Sequence, residues 1–213
     1  LANLIAAGEV VERPASVVKE LLENAVDAGA TTVTVEIQNG GMSFIRVADN
    51  GCGMSRADAE VAFLRHATSK LHSEEELASI GTLGFRGEAL AAIAAVSHVD
   101  LLTSDGAEGT SLHLEAGTIT RRGEAACPQG TTIIVRDLFY NTPARLKFMK
   151  RDAAEGAQVH AVVQRQALAN PAVRYRFLRD GQELLATSGD GELYSAIYAV
   201  LGRQLALDMV PVE

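Results

Sequence analysis

A chain of 213 residues that is 47% hydrophobic and 22% charged is neither a disordered tract nor a collagen-like repeat. At this length roughly 70% of the unfolded surface can be buried, enough for a core. The net charge of −8 excludes a uniformly basic nucleic-acid coat but leaves room for a local basic patch.

The longest apolar run, residues 89–96, falls far short of the ~18 residues a membrane helix needs. No charged-then-apolar signal segment opens the chain, and Leu1 in place of Met reads as the start of a fragment. Cys52 and Cys127 are too far apart for a disulfide framework or a metal-ligand spacing. A reducing, cytoplasmic setting is expected, with no membrane partner.

In chain order, Val17, Val18, Leu21, Leu22 and Ala25 recur at helical spacing. They predict a helix over residues 16–28, with Pro14 in its first turn and Gly29 as its stop. Residues 32–38 alternate, with Val33, Val35 and Ile37 on one face of a strand. Asn39-Gly40-Gly41 is a turn, and residues 43–48 form the returning strand. Ser55 and Asp58 are a capping pair that opens a helix to about Arg65. Residues 66–87 lack long periodicity, and residues 88–96 make a second apolar helix. Short strands are expected at 99–103, 111–115 and 131–135, with Asp105-Gly106 as a turn. A long helix over 153–169 is stopped by Asn170-Pro171. A hairpin of 173–179 and 183–185 turns at Asp180-Gly181, and 192–201 is a closing helix. No repeat or linker divides the chain, so one domain over 1–213 is expected. The fold class is α+β, a two-layer sandwich of a mixed, mostly antiparallel sheet with helices on one face.

The polar face of the first helix presents Glu20, Glu23, Asn24 and Asp27. Glu20 and Asn24 are four apart and share one stripe. A carboxylate and a carboxamide so placed can hold a water and a metal, although a solvated helix face has the same composition. Asp49-Asn50-Gly51-Cys52-Gly53 ends a strand. Ionised Asp accepts hydrogen bonds and donates none. It therefore suits the exocyclic amine of adenine and rejects a carbonyl there, as on guanine. Thr68-Ser69-Lys70 and Gly84-Phe85-Arg86-Gly87 bracket the irregular segment. Their glycines let backbone wrap an anion, and Gly87 precedes a helix whose first amides favour phosphate. A loop of ~20 residues with little structure is uncommon unless it is a lid or disordered.

Other signatures are missing. There is no P-loop, and Arg56 stands where a dinucleotide motif beginning at Gly51-Cys52-Gly53 needs its third glycine. His66, His72, His98, His113 and His160 have no metal spacing, and no nucleophile elbow is present. Between Arg136 and Arg179 nine Arg or Lys stand against Asp137, Asp152 and Glu155, a local surplus of six positive charges. It is the one stretch where a polyanion docks cheaply.

Five blocks occur in order: IAAGEVVERP from Ile5, KELLENAVDAG from Lys19, the Asp49 to Gly53 motif with RHATSK from Arg65, GFRGEAL from Gly84, and LFYNTPAR from Leu138. Together they resemble the ATPase domain of the MutL family of DNA mismatch repair proteins. That family shares a superfamily with gyrase B subunits, a heat-shock chaperone and histidine kinases. The resemblance implies a Bergerat-type ATP-binding fold.

It also implies roles. Glu20 would be the general base and Asn24 the Mg²⁺ ligand. Asp49 would bind adenine with help from Thr131, while Gly51 and Gly53 let the base pack on backbone. Thr68, Ser69, Lys70 and the loop Gly84, Phe85, Arg86 and Gly87 would form a lid over the phosphates of ATP. Lid closure would drive homodimerisation. Arg145, Lys147, Lys150, Arg151 and Arg165 would contact DNA without sequence preference. A MutS-like mismatch-recognition protein and a downstream repair nuclease or helicase are the implied partners, in a bacterial, nucleoid-associated setting. The family completes its site with a Lys from a following, transducer-like domain. This chain is expected to stop just before that domain and to bind Mg-ATP better than it hydrolyses it. The alternative is a nucleotide-binding interaction module without significant turnover. A topoisomerase subunit is disfavoured by LFYNTPAR and GFRGEAL.

Overall fold

The computed structural model describes residues 11–64 and 88–209. Helix α1 (Pro14–Asp27) begins with Pro in its first turn, where a missing N–H costs nothing. Its stripe of Val17, Val18, Leu21, Leu22 and Ala25 is buried, each Val or Leu adding about 1.5–3 kcal/mol of burial free energy. Strands β1 (Thr32–Gln38) and β2 (Phe44–Asp49) follow, joined through a short 3₁₀ turn, and then α2 (Arg56–Val61). Next come α3 (Ala89–Ala95), β3 (His98–Ser104), β4 (Gly109–Glu115), β5 (Thr118–Glu124) and β6 (Gly130–Arg136). The chain continues through α4 (Pro143–Leu146), α5 (Asp152–Ala169), β7 (Arg174–Arg179), β8 (Gln182–Ala186), α6 (Leu193–Leu201) and α7 (Arg203–Asp208).

The strands make one eight-stranded sheet in the order β5-β4-β3-β6-β2-β1-β7-β8. β1 and β7 are parallel, and the other six pairings are antiparallel. The mixed, mostly antiparallel sheet is therefore as expected. One side of the pleat carries Val33, Val35, Ile37, Ile45, Val47, Val99, Leu101, Leu114, Val135 and Phe177, all buried in a single core with α1 and α5. The other side is polar. Arg46 pairs with Glu36, Asp100 with His113 and Arg136, and Arg176 with Glu183. That alternation is the signature of a sheet covered on one face and wet on the other.

Three expectations needed adjustment. β5 was not anticipated: it is an edge strand with no fully buried residue, so it lacks the alternation that marks a half-buried strand. α7 lies beyond the expected closing helix, because Gly202 (φ 83°) ends α6 after Leu201 and a new helix starts at Arg203. Ser55 does cap α2, accepting the Asp58 N–H at 3.2 Å. However, α2 stops at Val61 rather than near Arg65, where Leu64 N–H closes a tighter turn on Val61 O at 2.9 Å. The Asp180-Gly181 hairpin turn stands as expected, both residues having positive φ.

Candidate nucleotide site

The site is assembled where the carboxyl end of α1 meets the carboxyl end of β2. Glu20 and Asn24 lie half-buried one turn apart on α1. Beside them, Lys19 Nζ sits 2.8 Å from Glu23 Oε1 and 3.9 Å from Glu20 Oε1. Asn24 O accepts the Ala28 N–H at 2.9 Å, and Ala28 O accepts the Cys52 N–H at 2.9 Å. The loop that follows β2 is thus docked on the last turn of the helix that carries Glu20 and Asn24.

Two glycines let this loop pass close to its neighbours, Gly51 to the end of α1 and Gly53 to the end of β3. A Cβ on Gly51 would lie 2.8 Å from both the Cβ and the O of Ala28. Gly53 has φ +69°, and a Cβ there would lie 1.9 Å from Ser104 O. Neither contact tolerates a side chain.

Asp49 closes β2, opposite Thr131 of β6. Its Oδ1 accepts the Gly51 N–H at 2.8 Å. Burial pushes its carboxyl pKa above the ordinary aspartate value, while backbone hydrogen bonds from Gly51 and Thr131 pull it back. A partly desolvated acceptor, held in place by main chain, is what discrimination of an amine from a carbonyl requires.

Sequence reasoning missed the groups behind Asp49. Thr103 of β3 is buried and pairs with Thr131 across β6. Its hydroxyl donates to Gly130 O at 3.0 Å and accepts the Met54 N–H at 3.0 Å. It also lies 3.0 Å from the Thr131 hydroxyl. Asn50 Oδ1 accepts the N–H groups of Thr31 and Thr32 at 2.9 and 2.8 Å, tying the loop to the start of β1. A strand threonine and a turn asparagine carry no local signal of such roles.

Thr68, Ser69, Lys70, Gly84, Phe85, Arg86 and Gly87 lie outside the described residues. Of the basic candidates, Arg145 belongs to α4, Lys147 and Lys150 to the loop after it, and Arg151 caps α5. Arg165 sits on α5 fourteen residues beyond Arg151, about 21 Å along the axis at 1.5 Å per residue. The first four are neighbours along the chain, whereas Arg165 lies well along α5.

The sequence model of the family described as histidine kinase-, DNA gyrase B-, and HSP90-like ATPase matches residues 12–141. The Aquifex aeolicus MutL ATPase domain complexed with ADP superposes with a TM-score of 0.73 at 34% identity, over 90% of this chain and 70% of that one. The chain belongs to the MutL branch of this ATPase family. The MutL DNA mismatch repair protein of Shouchella clausii is 51% identical over 100% of this chain, which spans 32% of it. That of Desulforudis audaxviator is 54% identical over 98% of the chain, or 37% of its own length. The chain thus covers about a third of the curated MutL relatives it matches. A crystal structure of the amino-terminal domain of a DNA repair protein matches with a TM-score of 0.80 at 27% identity, over 95% of this chain and 60% of that one. Among the described residues no helix is long and apolar enough to cross a membrane.

Proposed function

We propose that this MutL-family chain binds ATP with Mg²⁺ and hydrolyses it, as the nucleotide-switched part of a DNA mismatch repair mediator. The observation that carries the reading is Asp49. It is a partly desolvated carboxylate fixed by the Gly51 N–H, in a loop seated on the helix that bears Glu20 and Asn24.

Asp49 accepts the adenine amine, with Thr131 beside it. Glu20 accepts a proton from the attacking water, a task suited to a carboxylate on a rigid helix. Among the described residues no cluster of three or more His, Cys, Asp or Glu could hold a metal. Mg²⁺ fits without one, because it keeps waters and phosphate oxygens and takes few protein ligands. The side-chain oxygen of Asn24 is the hard donor that such an ion takes. When bound, Mg²⁺ neutralises phosphate charge.

Residues 68–70 and 84–87 act as a lid over the phosphates. ATP then favours a closed, homodimeric state through its differential affinity for that state. Residues 1–213 form one domain. The basic residues from Arg145 to Arg151 bind DNA without sequence preference, and Arg165 adds charge further along α5. The partners are a MutS-like mismatch-recognition protein and a repair nuclease or helicase, in a bacterial cytoplasm.

The test is calorimetric titration with a non-hydrolysable ATP analogue and Mg²⁺, beside a GTP analogue and a Glu20→Ala variant. ATP-analogue binding without GTP-analogue binding is expected. Glu20→Ala should keep analogue binding and lose turnover. Equal binding of the two analogues would sink the base-reading role of Asp49. Unchanged turnover in Glu20→Ala would remove Glu20 from the mechanism.

A further inference from the structure

The chain that runs on from the LFYNTPAR segment carries a displayed aromatic tip, Phe148. The segment's start is welded to the core. Leu138 and Phe139 are buried, Phe139 N–H donates to Val96 O at 2.7 Å, and Asn141 Nδ2 donates to Ala95 O at 2.9 Å. Phe139 holds a left-handed conformation (φ 67°) that a bulky residue keeps only when its surroundings impose it. The far end is fixed as well. Lys150 N–H donates at 2.9 Å to Oε1 of Glu155, a wholly buried carboxylate that also faces Arg13. Between these anchors, Leu146 is 42% and Phe148 77% exposed.

A loop anchored at both ends that holds a phenyl ring in water forgoes the burial free energy that the ring could supply. Among the described residues no ring or guanidinium stacks on Phe148. Arg145, Lys147, Lys150 and Arg151 surround it in sequence. The acidic neighbour Asp152 is engaged by Asn39 Nδ2 at 3.4 Å. A ligand that uses both the ring and these cations is anionic and also carries apolar faces. A nucleic-acid strand does both: its phosphates meet the cations, and its bases offer π faces to an aromatic ring.

We propose that Phe148 is a nucleobase-stacking residue, so that this surface takes strands with unpaired or extruded bases through Phe148 and their phosphates through the flanking cations. The inference rests on the reading of residues 145–151 as a DNA surface. It adds to that reading which part of the ligand is held and by what.

The test is fluorescence anisotropy on the 213-residue chain with two labelled oligomers of equal length, oligo-dT and an abasic sugar-phosphate strand. The parent should bind oligo-dT about tenfold or more tightly than the abasic strand. Phe148→Ala should abolish that preference while leaving abasic binding and its salt slope unchanged, and Phe148→Trp should keep it. Lys147→Ala with Lys150→Ala should weaken both ligands and lower the salt slope by roughly two contacts. If the parent binds neither strand, the DNA surface itself is wrong and the stacking role falls with it. If the parent binds both strands equally, or Phe148→Ala retains the preference, the DNA surface stands and the stacking role is overturned. The aromatic tip would then belong to a protein interface.

Discussion

Thr103 and Thr131 face each other across β3 and β6 with their hydroxyl oxygens 3.0 Å apart. Thr103 spends its hydrogen on Gly130 O and receives the Met54 N–H. One buried hydroxyl thus joins the strand behind Asp49 to the loop in front of it. Thr103→Val keeps the shape but leaves the Gly130 carbonyl and the Met54 N–H unmatched. The expected loss is about 1–3 kcal/mol. Thermal unfolding followed by circular dichroism should show the melting point lowered by several degrees, and the affinity for an ATP analogue should fall alongside. An unchanged melting point would mean that water replaces the hydroxyl.

Asp49 is raised in pKa by burial, so its ionised form is a cost that the apo fold bears. The sign follows directly. Folded Asp49 holds its proton more tightly than unfolded, so its protonated form favours folding at low pH, and that contribution is lost as pH rises through the folded pKa. Asp49→Asn removes a charge that burial disfavours and keeps an acceptor for the Gly51 N–H. Its melting temperature at pH 7 should be no lower than the parent's, while ATP-analogue affinity falls about ten- to a hundredfold, by roughly the 1–3 kcal/mol of an unmade buried hydrogen bond. In the parent, analogue binding should weaken on acidification at a pH above the ordinary aspartate range. Calorimetry across pH 4 to 8, with melting curves of both proteins, reads all three outcomes.

Gly53 tests the close approach of the nucleotide loop to β3. Gly53→Ala forces a Cβ to 1.9 Å from Ser104 O at φ +69°. Backbone cannot give way as a flexible side chain could. A destabilisation of at least about 2 kcal/mol is expected in denaturant titration. Gly181→Ala, whose added Cβ meets nothing within 4 Å although its φ is +81°, should cost about half as much or less. Equal losses would show that dihedral strain alone, rather than the clash, sets the cost.

His160 of α5 stacks on Phe177 of β7, with ring centroids 5.2 Å apart, and its buried Nε2 has no partner. Burial lowers its pKa, and the nearby Arg179 charge adds to the effect. The unfolded chain therefore takes up a proton in the ordinary histidine range that the folded chain refuses. Stability should fall as pH drops from 7 towards 5.5. His160→Leu should show a flatter decline than the parent over that window, read as the difference between their urea midpoints. Parallel declines would assign the pH dependence to other groups.

The first helix was legible because its apolar residues repeat at helical spacing, and the strands of β1, β2 and β6 because their buried face alternates with a polar one. β5 was not legible, since an edge strand with only Ile119 partly buried has no alternation to read. Asp49, Gly51 and Gly53 could be named because an acid between glycines at a strand end is a local pattern. Thr103 could not, because it acquires its role from Gly130 and Met54, 27 and 49 positions away. The basic run was visible as charge. That Phe148 within it stays in water while Phe139, nine residues earlier, fills the core is a matter of packing.

By itself the sequence determined what short-range chemistry encodes: the α+β class, most of the elements, the family, and the residues able to accept an amine, a proton or a metal ion. Only the tertiary structure decided that the Asp49 loop rests on the helix bearing Glu20 and Asn24 and that Thr103 stands behind it. Periodicity and motif spacing act over a few residues, where backbone geometry fixes which side chains are neighbours. Sheet order, loop docking and the burial of a single hydroxyl depend on contacts between segments distant in the chain, and those exist only once the whole sheet has closed over its core.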